Sequence, residues 1–280
     1  MDMDNTSSLL VFGGPYSNLP ATRAMHAKAE AEGIASHNII CTGDVVAYGA
    51  EPEQTAALIR AWGVHTIAGN CEEQLAGDAD DCGCGFEEGS VCDVLSRGWY
   101  PYARAGVSDE TKSWMARLPT SLTFHYGGRK FHVIHGGGRQ TNRFIFESDE
   151  RALHEEAAAI DADVILAGHA GIPFIKTVGH KVWVNAGVVG VPANDGTPHG
   201  WYAVIQHRDG EIRISLRRLA YDHVAAAASM RRAGHANGYA RALVTGIWPS
   251  HDVLPQLELE QTGVKLRQKT VRLRKQLATA

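Results

Sequence analysis

The first seventy residues alternate two periodicities. SLLVF (8–12) is a short apolar run, and ATRAMHAKAEAEG (21–33) is rich in helix formers and closes on a glycine. HNIICTGD (37–44) is a second apolar run ending on an acid. PEQTAALIRAWG (52–63) opens on a proline and closes on a glycine, and VHTIAGN (64–70) ends in Gly-Asn. Strand, helix, strand, helix, strand at this spacing predicts parallel strands joined by helical crossovers, with the helices covering the sheet faces.

Further along, the punctuation changes. Residues 76–98, AGDADDCGCGFEEGSVCDVLSRG, carry no sustained strand pattern and predict a loop with a short helix; residues 109–117 predict another helix. LTFHYGGRKFHVIHGG (122–137) reads as two strands joined at Gly127 and Gly128, the second ending on His135. ERALHEEAAAIDA (150–162) predicts a helix and DVILAGHAG (163–171) a strand ending on His169. Two hairpin-like segments follow, the second turning at Asp209-Gly210. From about residue 221 the pattern is helical, with Tyr239, Leu243 and Ile247 at helical spacing and Trp248-Pro249 marking an end. The expectation is an α/β (α+β) chain with a main unit over 1–218 and a helical extension over 219–280 packed on it.

Composition narrows the partners. With 280 residues, 44% of them hydrophobic, the chain is long enough to bury a large core. The 27 basic and 31 acidic residues leave a net charge of -4, so no global field gathers nucleic acid or an anionic membrane surface. The last stretch, VKLRQKTVRLRKQLATA, holds six basic residues and reads as a solvated surface strand or helix rather than a nucleic-acid arm. No apolar run approaches the roughly eighteen residues a membrane helix needs, and MDMDNTSS is not a signal peptide. A cytoplasmic protein is expected, as a monomer or a homodimer.

The chemistry collects at strand ends. Asp44 follows IICTG, Asn70 follows HTIAG, His135 follows FHVI and His169 follows VILAG. Beyond the carboxyl ends of parallel strands such side chains converge on one rim. A carboxylate, an amide oxygen and two imidazoles suit one divalent transition ion: Mn, Fe, Ni or Zn. Each residue alone is also what a turn looks like. Four at the ends of separate strands are harder to explain that way.

Over roughly residues 8–218 the chain resembles the calcineurin-like metallophosphoesterases, in particular their small bacterial phosphodiesterase branch. TGD (42–44), AGNCE (68–72), IHGG (134–137) and GHAG (168–171) carry the resemblance, and WVNAGVVGVPANDG (183–196) is similar to the segment before the family's closing strands. The resemblance implies a four-layer sandwich of two mixed β-sheets flanked by helices, with metals in the loops at one edge. It also implies two metal subsites, and here they differ. The first-loop Asp of the pattern falls on Gly14, its partner His on Tyr16, and the second His of the final motif on Gly171. One subsite is left with Asp44 alone, whereas Asp44, Asn70, His135 and His169 keep the other whole.

The expected activity is therefore hydrolysis of a small phosphorylated or anionic substrate from a mononuclear centre. Asn70 and His135 are candidate catalytic groups, Glu72 and Glu73 candidates for proton transfer, and Arg139 and Arg143 candidates for binding the anion. Tyr16 is a hydrogen-bond donor standing where an imidazole is missing. Cys71 takes a slot that the family fills with His or Cys. Cys82, Cys84 and Cys92 either are simply buried or bring thiolates to the vacated subsite; their C-x-C spacing fits no standard zinc or iron–sulfur signature. The competing function is a non-catalytic binding or regulatory protein that keeps the fold and one ion.

Overall fold

A computed structural model describes residues 3–4, 7–234 and 237–274. The chain runs β1 (Leu9–Phe12), α1 (Leu19–Ala31), β2 (Ile39–Cys41), α2 (Pro52–Trp62), β3 (His65–Thr66), α3 (Asn70–Ala76), α4 (Val91–Gly106) and α5 (Asp109–Met115). It continues with β4 (Leu122–Tyr126), β5 (Arg129–Val133), α6 (Glu150–Ala159), β6 (Val164–Ala167), β7 (Phe174–Val178) and β8 (Lys181–Asn185). It ends with β9 (Gly200–Arg208), β10 (Glu211–Leu219), α7 (His223–Ala233), α8 (Asn237–Thr245), α9 (Gln256–Glu260) and β11 (Thr270–Arg274).

These strands build two mixed sheets, ordered β11-β10-β9-β1-β2-β3 and β4-β5-β6-β8-β7. The crossovers over α1 and α2 make β1, β2 and β3 parallel, as the alternation predicts. In the second sheet β5, β6 and β8 are parallel, with β4 and β7 antiparallel at its edges. The inner faces meet in one apolar layer that includes Val11, Ile40, Phe131, Leu166, Ala203 and Ile214. On the outer face of the first sheet α1, α2, α4, α7 and α8 contribute Met25, Ile59, Trp99, Met230 and Leu243 to a second cluster. α6 covers the second sheet through Ala152, Leu153 and Ala157. The result is a four-layer α/β sandwich.

One segment differs from expectation, and another follows it. Residues 91–106 form a full helix where the sequence suggested only a short one. Gly98 and an internal Pro101 obscure its period, yet Cys92, Ser96, Trp99, Tyr100 and Ala103 are its buried stripe, and the Ser90 side chain accepts from the Asp93 amide at 3.2 Å. The basic stretch near the C-terminus carries strand β11, paired antiparallel with β10 and with outer faces in solvent. Residues 275–280 of that stretch lie outside the described residues. No helix among the described residues is long and apolar enough to cross a membrane.

Candidate metal centre

Three of the four expected ligands converge. Asp44 lies in the loop after β2, His135 just after β5 and His169 just after β6, so both sheets feed one rim at their carboxyl ends. One ligand atom from each lies within 4.8 Å of the other two, and all three residues are buried. His135 Nε2 is 3.2 Å from Asp44 Oδ2 and 3.1 Å from His169 Nδ1. His169 Nδ1 is 3.9 Å from the same carboxylate oxygen.

The backbone is shaped to aim these groups. Asp44 and His169 both occupy the left-handed region, with φ of 54° and 58°, a conformation that costs a non-glycine residue about 1–3 kcal/mol and gathers at functional sites. His135 Nδ1 is 2.6 Å from the Thr42 carbonyl; since a carbonyl only accepts, Nδ1 carries a proton, and in the neutral ring Nε2 keeps a lone pair that faces the centre. Asp44 divides its two oxygens, Oδ1 accepting the Cys71 amide at 3.2 Å in the first turn of α3 and Oδ2 facing the imidazoles.

Asn70 opens α3 and is buried. Its Nδ2 donates to the Cys82 carbonyl at 2.9 Å and to Cys84 Sγ at 3.3 Å, while Oδ1 has no hydrogen-bond partner. The preceding Gly69 is packed so tightly on the site that a Cβ there would stand 2.3 Å from Asp44 Oδ1 and 2.8 Å from His135 Cε1. An orphaned buried carbonyl oxygen calls for an explanation. With one carboxylate and two imidazoles within reach of one point, the donor set fits a borderline divalent ion.

Electrostatics agree with a cation site. Burial disfavours a charged Asp44, but His135 and His169 outweigh it and hold the carboxyl far below the usual range. For His135 burial opposes the imidazolium while Asp44 favours it, and the net shift is upward. His169 is shifted down, chiefly by burial.

Glu72 is fully buried, and burial together with Asp44 pushes its carboxyl up to about 7. Its oxygens take the amides of Asp44 at 2.7 Å, Val45 at 2.8 Å and Gly69 at 2.8 Å, with a longer contact to Val46 at 3.4 Å. These bonds tie the Asp44 loop to the start of α3. Glu73 is exposed and accepts from the Thr141 hydroxyl at 2.9 Å. Arg143 pairs with Glu155 and Glu156 at 2.8 and 2.7 Å. Arg139 is exposed and lines a depression with Lys130, His132 and Glu156 that shares no residue with the ligand trio.

The other half of the rim is occupied by rings. A Cβ on Gly14, whose φ is 46°, would lie 2.5 Å from the Tyr16 ring and 2.7 Å from Val188 Cγ1. A Cβ on Gly171, whose φ is 73°, would lie 3.1 Å from the Trp248 indole. Gly14 and Gly171 therefore face aromatic and aliphatic carbon rather than donor atoms. The five cysteines are free and buried, and among the described residues no sulfur joins the ligand cluster. Thr42, which orients His135 through a backbone carbonyl, and Trp248, which comes from beyond α8, were not legible as site residues; only the Trp-Pro pair hinted at the latter.

A profile of the calcineurin-like phosphoesterase superfamily domain matches residues 18–210. An uncharacterized protein of Methanocaldococcus jannaschii is 24% identical over 234 residues, covering 77% of this chain and 88% of that protein. The crystal structure of a metallophosphoesterase from Sphaerobacter thermophilus superposes with a TM-score of 0.68 at 20% identity, over 87% of this chain and all 100% of that one. A hypothetical protein from Pyrococcus horikoshii gives 0.71 at 15% identity, over 85% and 98% of the two chains. With its two mixed sheets, its rim of Asp44, His135 and His169 and a match across most of its length, the chain belongs to the calcineurin-like phosphoesterase superfamily.

Proposed function

We propose that the protein is a metal-dependent phosphoester hydrolase working from a single divalent transition ion, Mn, Fe, Ni or Zn, held by Asp44, Asn70, His135 and His169. The observation that carries this reading is the buried trio of ligand atoms within 4.8 Å, accompanied by an Asn70 oxygen that nothing else satisfies. A bound ion supplies Lewis acidity toward a phosphoryl oxygen and makes water more acidic.

The chain's own groups do the rest. The Thr42 carbonyl fixes the tautomer and tilt of His135, and the Cys71 amide fixes the rotation of Asp44. Asn70 is held by its amide nitrogen, which leaves its oxygen to orient the ion or the substrate. The Phe144 ring lies 4.2 Å from that of His169 and keeps water from this side of the site. Glu72 holds the ligand loop through backbone amides, and proton transfer is left to other groups.

The motifs favour the small phosphodiesterase branch, a small phosphorylated or anionic substrate, and a catalytic unit to which residues 219–280 are an addition. Five unpaired cysteines are in keeping with a reducing, cytoplasmic setting, as a monomer or homodimer. The ring-walled half of the rim favours a second reading, a binding or regulatory protein that keeps one ion. A screen of phosphomonoesters and phosphodiesters with each of the four metals separates the two. Turnover that needs the ion and vanishes in Asp44→Asn supports the hydrolase. If no ester is cleaved while a small anion binds only to metal-loaded protein, the binding reading replaces it.

A further inference from the structure

Where the first subsite of the family pattern would stand, the structure holds a pocket of about 60 Å³. Tyr16, Tyr48, Phe144, Tyr239 and Trp248 provide rings to its walls, Ser250 adds a hydroxyl, and His169 itself forms one side. A group that reaches the retained centre therefore has carbon surface beside it.

The rings are braced. Tyr48 stacks on Tyr239 with centroids 4.2 Å apart and meets Tyr16 edge-on at 4.8 Å. The Trp248 indole donates from Nε1 to the Pro192 carbonyl at 2.6 Å, and its backbone amide donates to Asn194 Oδ1 at 2.9 Å. Such a wall is pre-formed and does not collapse or swing to admit a larger guest without losing these contacts. Its size sets the guest: an apolar cavity of about 150 Å³ is what holds a benzene ring, so a space of about 60 Å³ takes a few carbon atoms and not a whole phenyl ring.

We propose that this pocket is a specificity subsite that receives a short alkyl group carried on the phosphorus-bound oxygen or carbon of the ligand, so that the preferred substrates are phosphoesters of small aliphatic alcohols. The inference rests on the reading of the metal centre given above. Each methylene it buries contributes about 0.8 kcal/mol, close to a fourfold gain in affinity.

Non-hydrolysable phosphonates test it without requiring turnover. Calorimetry on metal-loaded protein should give isopropylphosphonate roughly tenfold tighter than methylphosphonate, with phenylphosphonate no tighter than methyl. Trp248→Ala removes one wall, and phenylphosphonate should become the tightest of the three while the metal content stays unchanged. Val253 also lines the pocket. Val253→Phe, which fills the space and leaves the Trp248 hydrogen bonds in place, should erase the isopropyl preference and keep methylphosphonate binding. It carries the test if the tryptophan variant does not fold. Equal binding of all three ligands to the wild type, or an unchanged order in a folded variant, overturns the subsite alone. Failure of inorganic phosphate and every phosphonate to bind metal-loaded protein overturns the reading of the centre, and the subsite with it.

Discussion

The two halves of the rim have the same neighbours and opposite contents. On one side Asp44, His135 and His169 aim a carboxylate and two imidazoles at a common point, their directions fixed by the Thr42 carbonyl and the Cys71 amide. On the other, Gly14 and Gly171 have no side chains, and the rings of Tyr16 and Trp248 wall the space. Deleting ligands from a two-ion site without replacing them would leave a polar, wet hole. The aromatic walls here offer carbon surface where the other half offers donor atoms.

The largest effect should come from the retained half. Asp44→Asn keeps the shape but surrenders the only carboxylate in the trio, and metal affinity should fall by more than about 100-fold, beyond the 10–100-fold typical of groups that merely support a ligand. Titration of the apo protein with Zn or Mn reads this directly. Undiminished affinity would mean that the ion is held elsewhere.

Gly14→Asp asks whether the aromatic half is truly closed. The new Cβ meets Tyr16 and Val188 inside van der Waals distance on a backbone with φ of 46°. Overpacking and backbone strain should together cost about 2–5 kcal/mol in urea unfolding, with the metal count unchanged. A second ion in this single variant would erase the contrast between the halves.

Glu72→Gln separates holding from proton transfer. An amide group turned toward the Asp44, Val45 and Gly69 amides leaves a buried donor without an acceptor, and stability should drop by about 1–3 kcal/mol. The misplaced loop should weaken metal binding roughly 10–100-fold. Intact stability and metal affinity with a lowered kcat would instead return Glu72 to proton transfer.

The cysteines should matter least. Cys82→Ala, Cys84→Ala and Cys92→Ala remove small buried groups, so each should cost about 1 kcal/mol and leave the stoichiometry alone. Cys84→Ala alone touches the Asn70 amide, and its effect on metal affinity should stay below about tenfold. A changed metal identity in any of the three would put a thiolate at the ion.

How much of this was written in the chain follows from the same division. The β1 to β3 alternation and the ligands were readable because each ligand follows a strand of unambiguous pattern, and a glycine or an apolar run fixes where that strand stops. α4 was not, since Gly98 and Pro101 break the helical signal although its buried stripe is regular. The role of Glu72 lies in bonds to backbone amides, which have no residue signature. The pocket depends on Tyr16 and Trp248, more than two hundred residues apart, lining one space, a juxtaposition set by packing and by no local motif. Absent ligands could be read from sequence, but what replaced them could not.

The most direct measurement is the number of metal ions per chain together with their ligands, from elemental analysis of purified protein and anomalous diffraction from crystals. The expected result is one tightly held ion contacted by Asp44, His135, His169 and Asn70 Oδ1, with the Tyr16 and Trp248 rings in place beside it. Two occupied positions about 3.5–4 Å apart, or an ion that leaves His135 and His169 uncoordinated, would contradict it.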